Sequence, residues 1–434
     1  MRSVEEQLAV ITANAVRPDP VRIAISESLG LLCAEDVLAE NPLPGFNQAA
    51  IDGYAVRAVD VAGEAAMRSG ERSRLTDFSE VELPVVGEVA AGSHHPMRLQ
   101  PNQAVRVQTG APLPTLADAV LPLTWTDYDP ATDRMAGGSN QRRRVRAIRP
   151  VRSGDFVRKI GDDVQPGDVA VSAGTVIHAS HVGLLAAVGR SKVLVHPRPR
   201  MAVLSVGKEL VDIDRAPGLG QVFDVNSYAL SAAGRDAGAN VHRVGIAAGE
   251  PRRIREIIEG QLIKSELLVI TGAVGGQAGD EIRRILAEIG EIDVSRVAMH
   301  PGSVQGFGLL GEEKIPVFLL PSNPVAALVV FEVMVRPLIR LALGKRNPRR
   351  KAVQARVVAS IDSVAGRRGY IRGQLMRDRE TGDYLVQPLG GTSAAQQHLL
   401  AGMTESNCLI MIEPEVTHVR PGDQVQVLFL ARQA

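Results

Sequence analysis

The stretch Glu266-Leu-Leu-Val-Ile-Thr-Gly-Ala-Val-Gly-Gly-Gln-Ala-Gly-Asp-Glu-Ile-Arg283 decides how the chain is read. Leu267 to Ile270 is an uninterrupted apolar run, which predicts a strand covered on both faces. It opens into a loop carrying Gly272, Gly275, Gly276 and Gly279, after which Asp280 is expected to start a helix ending near Gly290. Strand, glycine loop and helix N-terminus is how an α/β sheet presents backbone N–H groups to a phosphate. The spacing is neither G-x-G-x-x-G nor a Walker A motif, because no Gly-Lys-Ser/Thr follows. Taken alone, the segment reads first as a plain βα turn with Asp280 as its N-cap, and only its neighbours favour the phosphate reading.

The pattern around it is strand–helix alternation. Met201–Val206 and Val241–Ile246 read as strands, Asn226-Ser as the cap of a helix reaching Ala237, and Pro251 as the first turn of another. Ile292–Met299 and Ile315–Leu320 follow as strands, with a long closing helix from Pro324 to Leu343. This predicts a doubly wound, mostly parallel α/β domain over residues 197–345, which binds ligands at the carboxyl ends of its strands. Beyond the basic, proline-containing linker Gly344–Lys351, residues 350–434 alternate as a small all-β domain, a barrel or sandwich.

Ahead of the α/β domain, Ser3 and Glu6 form a capping box before Val4, Leu8 and Ile11, so a short helix opens the chain. From about 55 to 145 the signals are short strands and turns, with polar residues 68–80 as a loop; Asp52-Gly53 between apolar flanks reads as a hairpin turn. The run Arg142-Arg-Arg-Val-Arg146 is read as a solvated strand face, since no aromatic residues interleave with it. Asp163, before the turn Gln165-Pro-Gly-Asp168, is compatible with a turn role.

With 434 residues the chain exceeds a single core. A net charge of +1 demands no nucleic acid and no anionic membrane. The two cysteines, Cys33 and Cys408, offer neither metal spacing nor a disulfide framework, which fits a reducing cytoplasm. The apolar stretch 325–335 is broken by Glu332 and too short to span a bilayer, and no direct membrane insertion is expected. The acidic first residues lack the apolar region of a signal peptide.

Four segments are expected to meet at one sheet edge: Val206-Gly-Lys-Glu-Leu210, Asp224-Val-Asn226, the glycine loop to Asp280, and Leu320-Pro-Ser-Asn-Pro324. Glu209, Asp224 and Asp280 would then be three acids beside a phosphate-friendly rim, an arrangement that suits a bridging Mg²⁺.

With these segments in view, the chain resembles the molybdopterin molybdenumtransferases (molybdenum insertases) and the E domain of the scaffold protein gephyrin. The resemblance rests on Phe46-Asn-Gln-Ala-Ala-Ile-Asp-Gly-Tyr-Ala-Val-Arg57, Thr109-Gly-Ala-Pro-Leu-Pro114, Gly161-Asp-Asp163, Val206 to Leu210 and Leu320 to Val325, and covers nearly the whole chain. It implies an elongated, discontinuous N-terminal domain (1–50 and 146–196), an inserted β domain (51–145), the α/β domain of molybdopterin-binding type and the C-terminal β domain. It further implies a homodimer whose site joins the α/β domain of one subunit to N-terminal parts of the other. The implied reaction inserts molybdate into adenylylated molybdopterin and releases AMP with a divalent metal, Mg²⁺. Carried across, the resemblance makes Asp52, Asp163, Glu209 and Asp280 catalytic, with Glu209 and Asp280 on the metal. It assigns Thr109, Asn226, Thr271, Gly272, Pro321, Asn323 and Pro324 to the substrate.

Several positions depart from the family pattern. Thr271-Gly-Ala-Val-Gly-Gly-Gln277 stands where Ser-Gly-Gly-Val-Ser-x-Gly is usual, and Val206-Gly-Lys-Glu-Leu where Ser/Thr-Gly-Asp/Ser-Glu-Leu is usual. His300-Pro-Gly-Ser303 replaces a Lys-Pro-Gly-Lys-like stretch, Pro-Ser-Asn-Pro replaces Pro-Gly-Asn-Pro, and Ala49 replaces a serine. These changes are expected to fall on one pocket, with Lys208 and His300 as replacement charges. Two readings follow. One is a transferase with an altered pocket. The alternative is a gephyrin-like dimeric scaffold that docks a peptide of a membrane-associated or cytoskeletal partner, such as a cell-division protein.

Overall fold

The computed structural model describes residues 1–15, 17–62, 80–95, 97–129, 144–389 and 400–430. The chain forms two compact units, Met1–Arg22 with Gly30–Ala34 and Leu194–Ala434, and Ile23–Leu29 with Glu35–Val193. Among the described residues no helix is long and apolar enough to cross a membrane.

The opening helix, α1 (Val4–Ala13), carries the expected capping box: the Glu6 N–H donates to Ser3 Oγ at 3.1 Å and the Ser3 N–H to Glu6 Oε2 at 2.7 Å. Its buried Val4, Leu8 and Ile11 join the core that holds Phe331, Leu338 and Tyr370. The first residues therefore pack with the α/β and C-terminal segments, and Met1–Arg22 and Gly30–Ala34 belong to the same compact unit as they do.

The second unit holds a five-stranded sheet of β1 (Gly53–Val56), β2 (Val81–Val89), β3 (Ala104–Val107), β4 (Ala119–Pro122) and β5 (Arg144–Ala147), in the order β4-β1-β3-β2-β5. The hairpin expected at Asp52-Gly53 is not there. Gly53 is the first residue of an inner strand, where a Cβ would lie 2.3 Å from the Leu121 carbonyl oxygen, so glycine answers close backbone approach. Arg144 and Arg146 point outward from β5 onto Glu82 and Glu80 at 3.2 and 3.3 Å, which makes this part of the basic run a paired, solvated strand face. Arg142, Arg143 and the expected loop at 68–79 lie outside the described residues.

The α/β segment runs β6 (Arg200–Val206), α2 (Asn226–Ala237), β7 (Asn240–Ala247), α3 (Pro251–Leu262), β8 (Leu267–Thr271), α4 (Gly276–Ala287), β9 (Gly290–Arg296), β10 (Val304–Leu310), β11 (Ile315–Leu320) and α5 (Pro324–Val330). Strand order is β7-β6-β8-β11-β10-β9, with the first four parallel and β10 antiparallel to both its neighbours. Both faces are covered. Met201, Val203 and Val269 turn to one core, Ala202, Leu204, Leu268 and Ile270 to the other, which explains the unbroken apolar strands. Strand β10 was not foreseen. Gly306 and Gly308 interrupt its apolar pattern, and a Cβ at 308 would meet the Glu291 carbonyl oxygen at 2.2 Å, so the feature that hides the strand is what lets β9 approach it.

The long closing helix is interrupted. After α5 come a π-helical turn, Phe331–Val335, and then α6 (Arg336–Ala342). Pro337 lacks an N–H and its ring would crowd the carbonyl four residues back, which a widened turn accommodates. The C-terminal strands β12 (Ala352–Val357), β13 (Arg368–Arg377), β14 (Tyr384–Pro388), β15 (Cys408–Ile412) and β16 (Gln424–Phe429) close into a five-stranded barrel, since β13 pairs with both β14 and β15.

Candidate active site

In the α/β sheet the chain order reverses between β6 and β8: β7 lies on one side of β6 and β8 on the other. Loops leaving the carboxyl ends of such a strand pair diverge to opposite faces and leave a crevice. A cleft of about 420 Å³ lies there, lined by Val206, Glu209, Asp224, Asn226, Thr271 and Gly272, together with Ser322 to Pro324. Residues of all four expected segments line it, but of the glycine loop only its start, Thr271-Gly272, does; Gly275, Gly276, Gly279 and Asp280 do not.

Their side chains divide the work differently from the expectation. Asp224 does not face the rim. It is 1 % exposed and accepts hydrogen bonds from Ser205 Oγ at 2.7 Å, the Ser227 N–H at 3.0 Å and Ser227 Oγ at 2.5 Å. It thereby caps α2, the role expected of Asn226-Ser, and it is removed from any metal set. Asn226 instead joins three loops: its Nδ2 donates to Thr271 Oγ1 at 2.8 Å and to the Ser322 carbonyl at 2.7 Å, while the Thr271 hydroxyl donates to the Pro321 carbonyl at 3.0 Å. Asn226 Oδ1 is buried without a protein partner, an acceptor left over for a ligand donor or a water. Asn323 accepts from the Ala326 N–H at 3.0 Å and caps α5, with Pro324 as its first residue.

Gly272 is required by geometry. Its φ is +82°, and a Cβ there would lie 2.1 Å from the Val206 carbonyl oxygen. Its N–H, expected to face a phosphate, donates to the Leu320 carbonyl at 3.1 Å. The donors left for an anion are those of the first turn of α4, which starts at Gly276 after Gly275, with no side chain capping it. Asp280 is therefore not the N-cap. It lies in the second turn, exposed, and pairs with Arg283 one turn on. Glu209 is exposed in the cleft, and its carboxylate folds back over Gly207, 2.7 Å from where a Cβ would stand. Lys208 beside it is exposed. Among the described residues no cluster of three or more His, Cys, Asp or Glu is placed to hold a metal ion.

His300 and Ser303 are not among the cleft-lining residues. His300 pairs through its backbone with Gly369 at the start of β13, and Gly302 packs on Val330 of α5.

In the second unit, two of the expected residues come together. Asp52 Oδ1 accepts from the Thr109 N–H at 2.7 Å and from Thr109 Oγ1 at 2.8 Å. The Thr109 N–H, followed by its hydroxyl, holds the Asp52 carboxyl below the usual carboxylate range. Asp163 is exposed; its N–H donates to the Leu43 carbonyl at 2.9 Å, at the opposite end of a ribbon from Ala50, whose N–H donates to Phe156. A depressed folded-state pKa stabilises above the unfolded value of about 3.9 and loses that contribution as pH falls through the folded value. Asp52→Asn is thus expected to lower the unfolding midpoint at neutral pH, with the gap to the parent closing as pH drops below the unfolded pKa. Thermal scans across acid pH check this, and a gap independent of pH removes the charge from the account.

Comparison with known proteins gives the same picture along the chain. The MoeA N-terminal region (domain I and II) matches residues 2–189, a probable molybdopterin binding domain matches 202–341, and the MoeA C-terminal region (domain IV) matches 354–430. Molybdopterin molybdenumtransferase 1 of Mycobacterium tuberculosis is 60% identical, with 100% of each chain covered. The chain belongs to the molybdopterin molybdenumtransferase family. Another family member, molybdopterin molybdenumtransferase 2 of the same organism, is 33% identical, covering 98% of this chain and 99% of its own. Among solved structures, a molybdopterin biosynthesis MoeA protein from Pyrococcus horikosii superposes with a TM-score of 0.78 at 28% identity, covering 99% of both chains. Within this molybdenumtransferase framework Ser205 and Ser227 hold Asp224, Arg243 Nη1 donates to Ser227 Oγ at 3.1 Å and Tyr228 Oη donates to Asp212 at 2.7 Å, roles that were not foreseen. A buried serine beside a strand end carries no sequence signal apart from its acid partner.

Proposed function

We propose that this chain transfers molybdenum to molybdopterin, taking molybdate and adenylylated molybdopterin and releasing AMP. The observation that carries the reading is full-length identity of 60% to a molybdopterin molybdenumtransferase, with a cleft holding Glu209, Asn226 and Thr271 at the strand-order reversal of its α/β sheet. No feature of the structure favours the peptide-docking scaffold over it.

Mg²⁺ holds few protein carboxylates and fills its shell with water and phosphate oxygens. A cleft with one available carboxylate among the described residues, Glu209, fits that pattern, and a cage made of protein groups alone does not. Glu209 would hold the ion, which would neutralise charge on the phosphoanhydride when bound. Asp280 enters the set only by leaving Arg283. The first-turn N–H groups of α4 orient a phosphate, while Asn226, Thr271 and Pro321 keep the three loops in register around it. Asp52 and Thr109, with Asp163, would complete the site from a second copy in the homodimer that the family resemblance implies. A monomer at micromolar concentration in sedimentation removes that part.

Complementation of a strain lacking its molybdenumtransferase tests the reading, with the activity of any molybdoenzyme as readout. Restored activity is expected. A stably folded, well-expressed protein that restores none overturns the transferase.

A further inference from the structure

Between β6 and α2 the chain leaves the sheet and forms a two-stranded parallel ribbon, Leu210–Val211 against Val222–Phe223. The ribbon is held from both ends. The Val222 N–H donates to the Glu209 carbonyl at 2.8 Å and the Asp224 N–H to the Val211 carbonyl at 2.9 Å. At its root, Asp212 accepts from Tyr228 Oη at 2.7 Å and Arg243 Nη2 at 3.1 Å, and the Arg243 guanidinium lies 4.0 Å over the Tyr228 ring. Buried Asp224 fixes the residue directly after Phe223.

Phe223 lines the cleft and is 43 % exposed. Among the described residues, it and Phe46 are the only exposed phenylalanine, tyrosine or tryptophan side chains. Scattered apolar residues on a surface need no explanation. A ring carried on a ribbon held by such a network, lining a cleft together with Glu209, is different: the hydrophobic effect disfavours leaving it in water, and a fixed backbone serves a planar ligand.

We propose that Phe223 is the stacking platform for a planar heteroaromatic ring of the substrate, and so sets which ring-bearing phosphates the cleft accepts. This rests on the transferase reading, whose substrate carries two such rings, a pterin and an adenine, joined through phosphates. Stacking recognises the shared flat π-face, and the probes separate the two sources.

Calorimetry with AMP, ribose 5-phosphate and 6-hydroxymethylpterin on the full chain and on Phe223→Leu tests it. The variant is expected to bind one ring-bearing probe about tenfold more weakly, with ribose 5-phosphate changed by less than about twofold. Loss confined to AMP assigns the adenine, and loss confined to the pterin assigns the pterin. Phe223→Trp should keep affinity and show indole quenching when the stacked probe is added, above a constant background from Trp125. In turnover, Phe223→Leu should raise KM for adenylylated molybdopterin about tenfold with kcat nearly unchanged. Equal affinities of parent and Phe223→Leu for both ring-bearing probes overturn the platform, as does loss of ribose 5-phosphate in step with them, which would mark collapse of the ribbon. If the parent makes cofactor while Phe223→Leu is unaltered, only the platform falls. If the parent neither binds nor turns over, the transferase reading falls with it.

Discussion

Gly272→Ala is expected to destabilise the protein by roughly 4 kcal/mol, against about 2 kcal/mol for Gly275→Ala three residues on. Both glycines have positive φ, +82° and +84°, and Gly275, with ψ 152°, stands in a region that essentially only glycine enters; an L side chain in such sparsely populated regions costs roughly 1–3 kcal/mol. They differ in what a Cβ would meet. At 275 nothing lies within 4 Å, whereas at 272 the Val206 carbonyl oxygen is 2.1 Å away. That oxygen belongs to the end of β6, one strand over from β8, and the Gly272 N–H is itself tied to Leu320 at the end of β11. Relief therefore means prising apart the strand ends that frame the cleft, and overpacking of this kind typically costs 1–3 kcal/mol more. Urea unfolding of the two variants reads the difference. Agreement between them within about 0.5 kcal/mol would show the strand ends to be more compliant than the geometry states. Gly272→Ala should also lose substrate affinity, because Asn226, Thr271 and Pro321 meet where the strands would part.

Glu209→Gln is expected to reduce molybdenum transfer by at least about 100-fold, the scale on which removing one group that stabilises reacting charge is felt. Stability should stay within about 0.5 kcal/mol of the parent, as for surface substitutions outside special features. The side chain is exposed, and the amide keeps the shape that folds over Gly207. The change removes the negative charge that would hold a divalent ion beside the substrate phosphates. Two measurements give the result content. Mg²⁺ with AMP should raise the unfolding midpoint of the parent and not of the variant, by mass action on the folded state. Transfer by the variant should also need more Mg²⁺ to saturate. A variant with parental turnover and parental Mg²⁺ dependence would move the metal away from Glu209.

The α/β domain was legible because its evidence is local. Leu267–Ile270 and Ile315–Leu320 are apolar without a break, which follows from burial on two faces, and turn residues punctuate the helices between them. The capping box at Ser3 and Glu6, the proline start of α3 and the alternation after 352 are of the same kind, each a pattern within a few residues. So was the gathering of Val206–Leu210, Asp224–Asn226 and Leu320–Pro324 at one edge, since parallel connectivity sends these strands' carboxyl ends the same way; of the glycine loop expected there as far as Asp280, only Thr271-Gly272 lines the cleft. Strand β10 was lost to its own glycines, whose purpose appears only when Glu291 and Leu319 are set beside them.

The roles of the polar residues needed the folded chain. In the sequence Asp224 and Asp280 are both acids near a glycine loop. In the fold, Ser205, some twenty residues away, draws Asp224 into the interior, and Asp280, exposed in the second turn of α4, pairs with Arg283 one turn on and does not line the cleft. Asp52 offered a turn signal, and Thr109, 57 residues later, makes it an ionised acceptor at the start of an inner strand. A side chain's charge is written in its residue type, but its direction is set by whichever donor reaches it first. Those donors come from segments that local pattern does not connect.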